Sequence, residues 1–201
     1  MGCELLLVNC ELYLYQMPEV HPAKAVYVVA HRDFRDEEFF VPKEILEAAG
    51  VSVSVASFEK SPAVGLHGGV TPVDLSVSEI KSGDFDALLI AGGPGIHKRF
   101  TDADLRRAVL DFYGSGKIIG AICAAPTVLA LSGILKGKNA TVWKTQDDGE
   151  LVRTIIREGA FYHDESVIAD GNIVTASAPA AAHAFGQKIL SFLKPGETSS
   201  S

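Results

Sequence analysis

A chain of 201 residues, 47% hydrophobic and 21% charged, has the balance of one globular domain with a sizeable core and is too apolar to be disordered. Its net charge of -7, with no run of Lys or Arg, argues against the basic face that nucleic-acid binding needs. The three cysteines (Cys3, Cys10, Cys123) and six histidines are dispersed, which speaks against a disulfide framework or a four-ligand zinc site. No metal or other cofactor is therefore expected, and a reducing, cytoplasmic setting is. No stretch approaches the ~20 apolar residues of a membrane span.

Residues 1–23 read as an N-terminal extension, a loose arm or an added strand. Residues 5–10 lack the basic lead and the longer apolar core of a lipoprotein signal. Leu6 stands where a myristoylation signal carries Ser or Thr. The core domain is placed at 24–193, and 194–201 reads as a disordered tail.

Within that domain, 24–30 is a short apolar, β-branched run, which reads as a buried strand. Residues 38–49 carry helical periodicity, stopped by Gly50. Residues 51–56 alternate as a second strand, and Gly65, Gly68 and Gly69 mark an irregular connection. Residues 86–91 form another apolar strand, broken at Gly92-Gly93-Pro94-Gly95. Thr101 and Asp102 cap a helix running to Tyr113. Residues 117–122 are a further strand with Cys123 at its end, and 124–131 are helical. A strand is expected at 140–143, a helix at 148–158, and a hairpin over 167–175 turned at Asp170-Gly171. Pro179 opens a closing helix, where its missing N–H is harmless.

Apolar strands alternating with helices predict an α/β fold with a mostly parallel sheet covered on both faces. Such sheets place their sites at the carboxyl ends of the strands. Two ends here are chemically unusual. A nucleophile elbow needs small residues two before and two after the nucleophile, and Ala121 and Ala125 flank Cys123 that way. The helix N-terminus beyond it is expected to favour the thiolate. A free cysteine is often only a small buried hydrophobe, but the small-residue frame and the second glycine loop favour a working thiol. The Gly93 and Ala124 N–H groups are candidate oxyanion donors; a GGxG turn alone is weak, and it is not a dinucleotide fingerprint.

Along the helix, Glu38 shares a face with Val41, Pro42, Ile45 and Ala49, whereas Glu37 falls on the solvent side with Glu44. Burial would raise the Glu38 pKa and make it a proton donor or shuttle beside the thiol. Periodicity alone leaves equally open an acid favoured merely by the helix dipole.

Three segments together resemble the ThiJ/PfpI superfamily: 121–126 around Cys123, 91–95 with its glycines, and Glu38 four residues before Pro42. Gly65-Leu66-His67-Gly68, Val73-Asp74-Leu75 and the hairpin with its Asp-Gly turn agree, so the resemblance covers about 24–193. It implies a flavodoxin-like three-layer sandwich, a homo-oligomer of two or more chains, and a reactive cysteine hydrogen-bonded to a protonated glutamate. Members include glyoxalases, deglycases, isocyanide hydratases, redox-sensing chaperones and intracellular peptidases. The chain departs from two branches. Peptidases carry His after the cysteine, where Ala124 stands. The branch named for the human parkinsonism-associated protein carries His where Trp143 stands. His97 and His67, on loops, are the accessory candidates.

The resemblance implies a cofactor-independent enzyme acting on a small aldehyde or a glycated compound, with Cys123 as nucleophile and Glu38 as general acid/base. The alternatives are a cysteine peptidase or amidase, and a non-enzymatic oxidant sensor or chaperone in which Cys123 is oxidised to a sulfinate held by Glu38.

Overall fold

The apolar runs become the inner strands of a single sheet. The computed structural model describes residues 22–144 and 149–193. In chain order its first half comprises β1 (Lys24–Val28), β2 (Arg32–Phe34), α1 (Asp36–Ala48), β3 (Ser52–Ser57), β4 (Ala63–Gly65), β5 (Val70–Thr71), β6 (Leu75–Ser76) and β7 (Ala87–Ile90). The second half comprises α2 (Ala103–Gly114), β8 (Ile118–Ile122), α3 (Pro126–Leu131), β9 (Asn139–Ala140), α4 (Glu150–Arg157), β10 (Phe161–Tyr162), β11 (Val167–Asp170), β12 (Ile173–Ala176) and α5 (Ala182–Leu193). The readings on the N-terminal extension to residue 21, on Cys3 and Cys10, and on the tail from 194 lie outside the described residues.

The main sheet runs β11-β12-β8-β7-β1-β3-β6. Its neighbours are parallel except β11 and β12, which form the expected antiparallel hairpin. Parallel neighbours need crossovers; α1 supplies the one from β1 to β3 and α2 lies in the one from β7 to β8. All four residues of β7 and the last four of β1 are buried, as a sheet covered on both faces requires.

On one face α1 and α5 pack against each other, with Gly186 of α5 so close that a Cβ there would lie 2.9 Å from the Pro42 Cα. Phe185 and Ile189 of α5 press onto Gly120 in β8. The other face is covered by α2 through Leu105, Ala108, Val109 and Phe112. Its N-terminus is capped by Asp102, whose Oδ1 accepts from the Asp104 and Leu105 N–H groups at 3.1 Å. The result is the three-layer α/β sandwich. Among the described residues no helix is long and apolar enough to cross a membrane.

Three local readings are corrected. Helix α1 begins at Asp36 rather than 38, because Arg35 is the extended N-cap and the acidic first turn suits the helix dipole. The helix after the cysteine begins at Pro126, since 123–125 form a tight turn. Of 140–143 only Ala140 is strand, pairing with β10 outside the main sheet. The buried Thr141 is instead tied by its N–H to the Thr175 hydroxyl at 3.0 Å. The glycine-marked connection at Gly65, Gly68 and Gly69 closes a small hairpin of β4 and β5.

Candidate active site

Strand β8 ends in a backbone that most side chains avoid. Cys123 has φ 62, the left-handed region where a non-glycine residue is strained unless its surroundings fix it. They do so here. Its N–H donates to the Ala176 carbonyl at 2.8 Å, its carbonyl accepts from the Trp143 N–H at 2.9 Å, and the Ala125 N–H closes the turn onto Ile122 at 3.1 Å. Ala121 and Ala125 are fully buried, so the small-residue frame has a steric cause. The N–H groups of Gly93 and Ala124 are near enough to the Cys123 sulfur to favour its thiolate.

Glu38 enters from the first turn of α1 and is completely buried. Its Oε2 accepts the Gly92 N–H at 3.0 Å, and the carboxyl is close enough to the Cys123 thiol for each group to shift the other's pKa. Its Oε1 has no hydrogen-bond partner among the described residues. The Glu38 carbonyl accepts from the Tyr27 hydroxyl, which pins the helix start to β1. Glu37 points to solvent and pairs with Arg35 at 3.0 Å.

Burial pushes the Glu38 carboxyl up to about 7, against the opposing pull of the thiol, the Gly92 N–H and the Arg35 charge. Burial also pushes the Cys123 thiol up, and the Glu38 carboxylate adds to the effect; the Gly93 and Ala124 N–H groups oppose both. This overturns the expectation of a thiol acidified by a helix N-terminus. Cys123 is only 9% exposed, α3 has six residues and starts three positions later, and loss of water outweighs what the dipole offers. Two adjacent buried anions are disfavoured, so ionising either member of the pair opposes ionising the other.

The thiol opens into a cavity of about 220 Å³, room for a small molecule. Besides the Cys123–Glu38 pair, Gly93 and Ala124, its walls are Arg35, Leu66, Pro94, His97, Trp143 and Pro179. His97 is thus at the site; its ring packs on Phe100 with centroids 4.9 Å apart, and partial burial holds its pKa below the ordinary value. His67 is not. Its N–H donates to Asp36 at 2.8 Å, its side chain is exposed, and its neighbour Leu66 lines the cavity instead. Sequence reasoning also missed Arg35. No periodicity pointed to it, because Arg35 is the extended N-cap of α1 and lies outside the helical repeat.

A thiol on a strained strand-to-turn elbow, beside a buried carboxyl and two backbone donors at the carboxyl edge of a parallel sheet, defines an α/β protein with a nucleophile-elbow cysteine. The chain belongs to the DJ-1/PfpI family, whose sequence profile matches residues 24–192. It is 38% identical over 169 residues to the uncharacterized protein MJ0967 of Methanocaldococcus jannaschii, covering 84% of this chain and 81% of that one. It is 29% identical over 171 residues to "Deglycase PH1704" of Pyrococcus horikoshii, covering 85% and 99%. Among solved structures, a ThiJ/PfpI domain protein from Brachyspira murdochii superimposes with a TM-score of 0.81 at 29% identity, covering 86% of this chain and 98% of that one.

Proposed function

We propose that this protein is a cysteine-dependent enzyme that rearranges small reactive carbonyl compounds, with methylglyoxal as the simplest substrate. One observation carries the reading: the Cys123 thiol and the buried Glu38 carboxyl line the same small cavity, with the Gly93 and Ala124 N–H groups beside the sulfur. As the sulfur attacks the aldehyde carbon, the Glu38 carboxylate takes the thiol proton, and the new oxyanion collects a proton to give a hemithioacetal. Glu38 then moves the proton from C1 to C2, so C1 is oxidised to a thioester while C2 is reduced to an alcohol. Water hydrolyses the thioester, freeing lactate and the thiol. The backbone donors stabilise charge on the oxygen as it develops. A carboxyl near 7 is matched to giving and taking protons at neutral pH. The same addition would strip a carbonyl adduct from a thiol or amine, and the relative named a deglycase supports that carbonyl-directed chemistry. Peptide hydrolysis is less well served, because Ala124 follows the thiol and offers no base.

Proton NMR of methylglyoxal with the wild type and with Cys123→Ser tests the proposal. Lactate is expected from the wild type only. Absence of lactate above the uncatalysed rate, or its formation at equal rate by Cys123→Ser, overturns it.

A further inference from the structure

The cavity contains one cation, Arg35, that takes no part in the bond-making and proton-transfer steps of the proposed chemistry. We infer that Arg35 selects carbonyl substrates carrying a carboxylate, holding that group on its guanidinium while Cys123 attacks the carbonyl. The inference rests on the proposed carbonyl chemistry and names its substrate class.

Among the described residues lining the cavity, four side chains can carry charge: Arg35, Glu38, His97 and Cys123. Burial disfavours the charged form of the other three. Arg35 alone is charged at every working pH. A site built only for neutral methylglyoxal has no need of that cation.

Arg35 is also held in place by the reaction centre. It is the extended N-cap of α1, with φ -79 and ψ 116, and its N–H donates to the Gly92 carbonyl at 3.1 Å. Its backbone nitrogen lies against Gly93 so closely that a Cβ on the glycine would approach it to 2.5 Å. The guanidinium therefore springs from the loop contact that sets the Gly93 donor.

The ion pair it makes is replaceable. Arg35 Nε meets Glu37 Oε2 at 3.0 Å, with the two side chains 31% and 46% exposed, and an exposed pair of this kind contributes little. The closest contact of that pair is through Nε; among the described residues the two Nη groups make no hydrogen bond. They are the fork that fits a carboxylate in two parallel bonds. An incoming carboxylate on the less solvated cavity side gains more from this cation than Glu37 does from water.

The test compares methylglyoxal with 4,5-dioxopentanoate, a 2-oxoaldehyde bearing a carboxylate, on the wild type, Arg35→Gln, Arg35→Lys and Glu37→Gln. The wild type is expected to favour the anionic aldehyde in kcat/KM by about tenfold or more, and 0.5 M NaCl to shrink that preference. Arg35→Gln should lower the anionic-to-neutral ratio by about tenfold, through KM of the anion; Arg35→Lys should restore part of it; Glu37→Gln should lower that KM. An unchanged ratio in Arg35→Gln overturns the inference. If neither aldehyde is turned over, the carbonyl reading fails and binding decides the rest, through alkylation of Cys123 by iodoacetamide in the presence of 4-oxopentanoate or butan-2-one. Protection by the carboxylate that Arg35→Gln abolishes sustains the inference; equal protection by both ketones, or none, overturns it.

Discussion

Gly92 and Glu38 are joined by an N–H to Oε2 bond of 3.0 Å, and no side chain fits at the glycine. A Cβ there would lie 2.6 Å from that Oε2, 2.7 Å from the Cys123 Cβ and 2.8 Å from the Ile122 carbonyl. The glycine at the end of β7 therefore sets the distance between the acid of α1 and the thiol of β8.

Gly92→Ala should consequently impair the site before it impairs the fold. The methyl group must displace either the carboxyl or the thiol stem, and displacements of that order cost about 10²-fold in turnover. Kinetics with methylglyoxal, together with the rate of Cys123 alkylation, measure it. Gly83→Ala is the control, since a Cβ at Gly83 meets nothing within 4 Å. Wild-type turnover in Gly92→Ala would show that the contact is not needed.

The raised Glu38 carboxyl makes a prediction about stability. Its ordinary value of 4.5 rises to about 7 in the folded chain, so between those limits the native state holds a proton that the unfolded state has lost. Stability from this group is present in full below 4.5 and is lost as pH climbs to 7, by about 3 kcal/mol at most. Urea unfolding of the wild type and Glu38→Gln from pH 4 to pH 8 should show the variant gaining on the wild type across that window and no further gain above it. A pH-independent difference would mean that Glu38 is already ionised throughout.

The parts of the molecule that sequence made legible are those in which one local pattern decides the outcome. Strands β1, β7 and β8 are continuous apolar runs because both faces of their sheet are covered, and the small residues around Cys123 announce a turn that tolerates nothing larger. Glu38 was legible as a core-facing acid, but the face was drawn wrongly: Phe39, Pro42 and Leu46 are buried with it while Ala49 is exposed. The position of α5, which nothing in α1 encodes, sets that face. The run at 140–143 was misread because burial without ladder pairing has the same composition as a strand. The thiol was misjudged because a helix N-terminus can be read from sequence and the loss of water around a sulfur cannot. Leu66 and Arg35 became part of the site only through long-range packing, where Asp36 grips the N–H groups of His67 and Gly69 at 2.8 Å and turns the loop.

Replacing Glu38 by Gln separates catalysis from simple thiol chemistry. The amide keeps the shape and can still accept the Gly92 N–H through its oxygen, but it can neither take the thiol proton nor carry one between C1 and C2. Turnover of methylglyoxal should fall by about 10²- to 10⁴-fold, the usual worth of general acid–base catalysis. In the wild type kcat/KM should rise with pH through a group near 7, the value to which burial lifts the carboxyl, because the carboxylate is the form that accepts the thiol proton. In Glu38→Gln that inflection should vanish. At pH 8 Cys123 alkylation should be faster in the variant than in the wild type, where a buried carboxylate opposes the thiolate. Glu44→Gln, on the exposed face of the same helix, should leave turnover unchanged. Full activity in Glu38→Gln, or an inflection near 7 that survives it, would remove Glu38 from the proton path and leave the thiol to act with the backbone donors alone.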